Sequence, residues 1–219
     1  MRAVVIAHGD VLPEDRELAA SAKLLIAADG GALALERWGL LPHVIVGDLD
    51  SLGADRAAAL ERRGASVQRF PVAKDESDLE LALRYAIENG ADDITLLGIF
   101  GGARLDHALV NATLIADPAY RGRGVRAVMG GTQVRALHGS GELTLRGPVK
   151  SIVTIVPLRG DATGVRTTGL RYRLDRDALP FGKSLGLSNV VESLPASVFI
   201  ESGVALVIET KEAEHDIGQ

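Results

Sequence analysis

The run Gly47-Asp48-Leu49-Asp50-Ser51 sets two carboxylates one residue apart, straight after the apolar, β-branched stretch Val44-Ile45-Val46. Such a stretch reads as a buried strand. On an extended chain, residues two apart face the same side, so Asp48 and Asp50 converge at the strand end and repel unless something cationic lies between them. A divalent metal is one answer and a solvated turn is the other.

Three further stretches place acids and cations where other strands should end: Asp29 and Gly30 in "AADGGA", Lys74, Asp75 and Asp78 in "PVAKDESD", and Arg104 and Asp106 in "GGARLDH". A single aspartate of this kind is ordinary, since Asp caps helices and complements their dipoles, and Asp78 suits the first turn of one. Several on one rim destabilise the fold unless metal or hydrogen-bond donors compensate. Oxygen ligands without Cys or His suit Mg²⁺, which binds carboxylates together with phosphate oxygens and water. The implied ligand is a nucleotide phosphate. The glycine pairs 30–31 and 101–102 would let backbone approach it closely.

The elements that must carry these residues follow from periodicity. Up to about residue 130, short apolar runs (3–9, 23–31, 43–48, 66–71, 93–102 and 125–131) alternate with helical patterns such as Asp75 to Asn89, where Leu79, Ala82, Leu83, Ala86 and Ile87 recur at helical spacing. That alternation predicts a mostly parallel, Rossmann-like α/β sheet with flanking helices, in which ligands gather beyond the carboxyl ends of the strands. After residue 131 helical spacing fades and β-rich runs follow one another: "ELTLRG", "SIVTIVPL", "ASVFIESG", "VALVIET". The expected organisation is an α/β nucleotide-binding catalytic domain over 1–130 and an all-β sandwich domain over 131–219. "SVFIESGVALVIE" reads as a hairpin turning at Glu201, Ser202 and Gly203.

Composition narrows the function. With 219 residues and 47% hydrophobic content the chain can bury a sizeable core, and a net charge of −5 disfavours nucleic-acid or anionic-membrane binding. No apolar run is long enough to span a bilayer, and there is no cysteine, so cytoplasm is the expected compartment. No G-x-G-x-x-G follows the first strand, and "FGKS" at 181–184 fails as a P-loop because Asp177 stands where the first glycine is required. The histidines at 8, 43, 107, 138 and 215 lack ligand spacing and read as structural or surface groups.

Taken in order, "AADGGA", "GDLDS", "KDESDLELAL", "GGARLDHALVN", "TTGLRYRL" and "GLSNVV" resemble the motifs of the thiamine pyrophosphokinase family over roughly residues 27–191. The resemblance implies an α/β nucleotide domain followed by a β-sandwich that binds thiamine and dimerises. It also implies transfer of pyrophosphate from Mg²⁺-ATP to the thiamine hydroxyl, giving thiamine diphosphate and AMP. Carried over by motif, Asp48, Asp50 and Asp78 are the expected metal ligands and, with Arg104, the catalytic set. Asp29, Gly30, Lys74, Asp75, Arg104 and Asp106 are expected around ATP. Tyr172, where many relatives have tryptophan, and Ser188 with Asn189 are expected at thiamine, in a homodimer whose thiamine site is shared between chains. A flat aromatic face suits both the pyrimidine and the cationic thiazolium. The alternatives are a Mg²⁺-dependent pyrophosphokinase or phosphohydrolase acting on another small substrate, and a noncatalytic nucleotide sensor.

Overall fold

The computed structural model describes residues 1–211, which divide into two compact units: residues 1–115 with 122–130, and residues 116–121 with the chain from 131 onward. In the first unit the order is β1 (Arg2–Ile6), α1 (Asp15–Ala20), β2 (Leu24–Ala28), α2 (Gly31–Arg37), β3 (Val44–Gly47), α3 (Ala54–Arg62), β4 (Ser66–Arg69), α4 (Asp78–Glu88), β5 (Asp93–Leu97), α5 (Leu105–Leu114) and β6 (Gly124–Met129). Its strands lie in the order β6-β5-β1-β2-β3-β4, and every pairing among them is parallel. The central strands are buried on both faces, as a parallel sheet covered by helices requires, whereas the edge strand β4, Ser-Val-Gln-Arg, is largely exposed.

Helix α4 shows how local sequence fixes this unit. Ser77 Oγ accepts from Glu80 N while Ser77 N donates to Glu80 Oε2, a reciprocal cap that stops the helix unwinding toward its N-terminus. Leu79, Leu81, Ala82, Leu83 and Ala86 are buried. The cap sets the helix start at Asp78, and with it the place of that carboxylate.

The second unit contains a short 3₁₀ turn (Pro118–Tyr120) and the strands β7 (Thr132–His138), β8 (Gly141–Thr144), β9 (Ile152–Pro157), β10 (Ala162–Thr168), β11 (Asp175–Leu179), β12 (Asn189–Val190), β13 (Ser197–Ile200) and β14 (Val204–Thr210). They form two antiparallel layers, β12-β9-β14-β7 and β11-β10-β13-β8. Val153, Ile155 and Val207 of one layer share a core with Val165, Val198 and Ile200 of the other.

One expectation fails here. Residues 197–209 are not a hairpin: β13 pairs with β8 and β10, while β14 pairs with β7 and β9. The link Glu201–Gly203 carries the chain from one layer to the other, with Gly203 at φ 99° and Ser202 bridged to Thr163. Alternation of apolar residues gives each strand its buried face but does not name its partner, and a short turn between layers has the same composition as a hairpin loop.

Candidate active site

The chain order of the parallel sheet reverses at β1, which has β2 on one side and β5 on the other, and the candidate residues lie in loops at the carboxyl ends of these strands. Asp29, directly after β2, is buried. Its Oδ2 accepts from Ser51 N at 3.0 Å and its Oδ1 from Leu52 N at 3.2 Å, so it ties the turn after β3 to the end of β2. Burial raises its pKa, against the lowering effect of those two backbone donors.

Asp48 and Asp50 do converge, but not by strand pleating. Leu49 has φ 69°, a left-handed conformation uncommon for leucine, and its side chain is anchored in the core beside Leu52. Asp50 N donates back to Asp48 Oδ1 at 3.2 Å. A tight turn therefore replaces the extended geometry expected from residues two apart. Ligand oxygens of Asp29, Asp48 and Asp50 lie within 4.8 Å of one another.

Asp78 reaches the same rim from the first turn of α4, with Lys74 between it and Asp48. Lys74 Nζ lies 2.8 Å from Asp48 Oδ2 and 2.9 Å from Asp78 Oδ1. The contact to Asp48 is an aligned hydrogen bond; the one to Asp78 is an ion pair off the hydrogen-bond axis, leaving Asp78 Oδ1 buried without an aligned donor. The Lys74 hydrogen bond holds the Asp48 carboxyl below its ordinary pKa. Burial alone would lower the pKa of Lys74, yet the two carboxylates raise it. The cation between the carboxylates is thus supplied by the chain itself.

Gly47 backs this cluster. A Cβ there would lie 3.0 Å from Asp29 Cβ and from Asp78 Oδ1, and its φ of 150° is one that side chains rarely adopt. A set of oxygen-only donors, closely grouped, with one buried oxygen short of a donor, fits a hard divalent cation. The convergent trio, however, is Asp29, Asp48 and Asp50, and Asp78 stands across Lys74 from it.

Around this centre the remaining residues differ in availability. Asp75 is exposed. Arg104, at the start of α5, pairs with Asp106 through Nε–Oδ1 at 2.9 Å and Nη2–Oδ2 at 2.6 Å, both side chains being well exposed. Arg104 holds the Asp106 carboxyl far below the usual range. Gly30 and Gly101 do not simply open space for a ligand. A Cβ on Gly30 would strike the His8 ring at 2.4 Å, and one on Gly101 would strike Asp10 Oδ2 at 2.1 Å. His8 and Asp10, in the loop after β1, therefore join the rim, fixed by Gly9 N–Gly98 O and Asp10 N–Phe100 O hydrogen bonds to the loop after β5. The strand-end rule applied to "AHGD" marks both. Of the other histidines, His43 Nδ1 accepts from Leu25 N at 2.9 Å, a structural role, and His215 lies outside the described residues.

In the second unit, Tyr172 is 63% exposed. The buried Asn189 carboxamide makes three hydrogen bonds: Oδ1 accepts from Tyr172 N at 3.0 Å and from Val190 N, and Nδ2 donates to Tyr172 O at 2.7 Å. Asn189 acts on this surface by fixing the Tyr172 backbone. Ser188 is exposed, at φ 57°, with its N–H given to Thr154 Oγ1.

The model of the thiamin pyrophosphokinase catalytic domain matches residues 16–127, and that of the thiamin pyrophosphokinase vitamin B1 binding domain matches residues 142–205. The chain belongs to the thiamin pyrophosphokinase family. It is thereby an enzyme, a diphosphotransferase. It is 26% identical to thiamine pyrophosphokinase of Bacillus subtilis over 85% of this chain and 87% of that one, and 26% identical to thiamine pyrophosphokinase 1 of Oryza sativa over 87% and 80%. The crystal structure of the Bacillus subtilis thiamine pyrophosphokinase superposes with a TM-score of 0.84 at 25% identity, covering 97% of this chain and 100% of that one. Within this chain, the catalytic match contains the rim residues from Asp29 to Asp106 and the vitamin B1 match contains Tyr172, Ser188 and Asn189; His8 and Asp10 precede the matched span.

Proposed function

We propose that the acidic rim transfers a pyrophosphoryl group from Mg²⁺-ATP to the hydroxyl of thiamine. The observation that carries this reading is the convergence of Asp29, Asp48 and Asp50 at the carboxyl end of a parallel sheet, with Lys74 and Asp78 alongside, in a chain of this family. Asp48, Asp50 and Asp78 would hold Mg²⁺, which would supply charge neutralisation at the phosphates. Lys74 and Arg104 face the charge that develops on the transferred group, Asp106 holds Arg104 in place, and Asp29 fixes the turn bearing both metal-binding aspartates. Asp75 and the Gly30 backbone line the nucleotide side. The thiamine hydroxyl oxygen attacks the β-phosphorus, the bond from that phosphorus to the α-phosphate oxygen breaks, and AMP leaves with that oxygen. The hydroxyl proton passes to a rim carboxylate or water, and no protein nucleophile is needed.

Tyr172 offers its ring to thiamine, with Ser188 beside it and Asn189 holding the backbone. We place this surface against the rim of a second copy, so that each active site of a homodimer takes Asp50 from one protomer and Tyr172 from its partner. Exposure of Tyr172, Leu185, Leu187 and Val149 on one unit supports such a covered surface. Among the described residues no helix is long and apolar enough to cross a membrane, and the cysteine-free composition supports action in the cytoplasm.

The deciding experiment incubates the purified chain with Mg²⁺-ATP and thiamine and resolves the nucleotides. AMP formed in step with thiamine diphosphate is the expected result. ADP would mean single phosphoryl transfer, and nucleotide binding without turnover would make the rim a sensor.

A further inference from the structure

Lys74 occupies a position that its neighbours dispute. Its Nζ lies 2.8 Å from Asp48 Oδ2 and 2.9 Å from Asp78 Oδ1, and its side chain is only 14% exposed. Those are two of the three carboxylates assigned above to Mg²⁺. Magnesium binds carboxylate oxygens at about 2.0–2.1 Å, and an ammonium holds them at about 2.8 Å. Both cations on the same pair of oxygens would stand within a few ångströms of each other, in a site with little water to screen them. Without either, Asp48 and Asp78 would face each other in a half-buried pocket backed by Gly47.

We propose that Lys74 is the resident counter-ion of the metal-free rim and exchanges with the divalent cation, leaving Asp48 and Asp78 as metal enters and turning toward the phosphates that arrive with it. Of the two contacts only the one to Asp48 has hydrogen-bond alignment, the one to Asp78 being an ion pair at 2.9 Å. The segment bearing Lys74 allows the motion: Val72, Ala73 and Asp75 around it are exposed, in the loop between β4 and α4. One side chain thus serves two stages, offsetting the repulsion between the rim carboxylates and then supplying positive charge to the reaction. The inference rests on the metal reading of the preceding subsection. Its rival is a cation held by Asp29, Asp48 and Asp50 alone, beside a Lys74 that stays in place.

The test uses the whole, nucleotide-free protein. Manganese binding is followed by electron paramagnetic resonance, with Mg²⁺ as competitor. In parallel, brief amine acetylation with and without metal is read by peptide mass spectrometry at Lys23, Lys74, Lys150, Lys183 and Lys211. Exchange predicts that metal raises labelling of Lys74 severalfold and leaves the other four unchanged. It also predicts that Lys74→Met binds Mn²⁺ severalfold more tightly than wild type while its turnover falls. Labelling of Lys74 that stays constant or drops while Mn²⁺ binds overturns the exchange in favour of the rival site. So does a Lys74→Met variant, folded by circular dichroism, with unchanged Mn²⁺ affinity. If neither ion binds the nucleotide-free protein, exchange by metal alone is excluded, whereas the pyrophosphokinase reading stands or falls separately on AMP formation.

Discussion

Asp48 and Asp50 share one turn but are held differently. Asp48 is hydrogen-bonded to Lys74, whereas Asp50 is exposed and accepts only from Ser51 Oγ among the described residues. Replacing either by asparagine should lower turnover by about a hundredfold or more if both hold metal. Stability should separate them. Asp50→Asn is expected within about 0.5 kcal/mol of wild type, as for an exposed site. Asp48→Asn should cost about 1–3 kcal/mol because a charged hydrogen bond is lost. Steady-state rates at saturating Mg²⁺ and denaturant melts check both, and near-normal rates in either variant would remove it from the metal set. The positions of these acids were legible in sequence because a buried apolar run announces its own end. Their geometry was not: nothing in the letters of Leu49 says that it turns left-handed, since that conformation is held by its burial beside Leu52 and by the grip of Asp29 on Ser51 and Leu52.

Helix α4 was readable as an element because its spacing and its Ser77–Glu80 cap act within a few residues. The partners of β13 and β14 were not, because pairing across layers is decided by residues far away in the chain. Strand β7 carries a consequence of its packing that composition hid. His138, at its end, is half-buried and faces Arg121 and Arg159, with Asp117 as the nearby acid. Burial first, then the two guanidiniums, lower its pKa against the pull of Asp117. A lowered folded pKa means the unfolded chain binds the proton more readily. Stability is therefore fully present above the unfolded value near 6.5 and is lost as pH falls toward the folded value. Melting temperatures should decline from pH 7 to pH 5, and His138→Gln should flatten that decline. An equal decline in both proteins would assign the acid sensitivity elsewhere.

At the scale of the molecule, the proposed sharing of sites between protomers has a sharp consequence. Tyr172→Ala and Asp50→Asn should each nearly inactivate a pure homodimer. In a dimer made of one chain of each kind, one site recovers Asp50 and Tyr172 intact while the other carries both lesions. Heterodimers purified through two different tags should then work at about half the wild-type rate, one site of two. If the pair meets within one chain, every site keeps a lesion and no activity returns. The change from alternating helices and strands to strands alone was legible in the sequence because helical and strand spacing differ; that residues 116–121 group with the second unit was not. The third carboxylate of the convergent trio was less so: Asp29 looked like a nucleotide contact, and only folding brings it to the turn at Asp48.

The crossing at Glu201–Gly203 also sets an order of events as the protein is made. Strand β14 lies between β7 and β9, joined to both along its length, and Thr210 meets Thr132 from 78 residues further along the chain. While a ribosome has delivered only the residues up to β13, β7 and β9 each wait with an open row of amides and carbonyls on the side that β14 will fill. The second unit cannot close its sheet on the nascent chain until residues 204–210 have emerged, whereas β1 to β4 can already have paired, each with the strand that follows it in the chain.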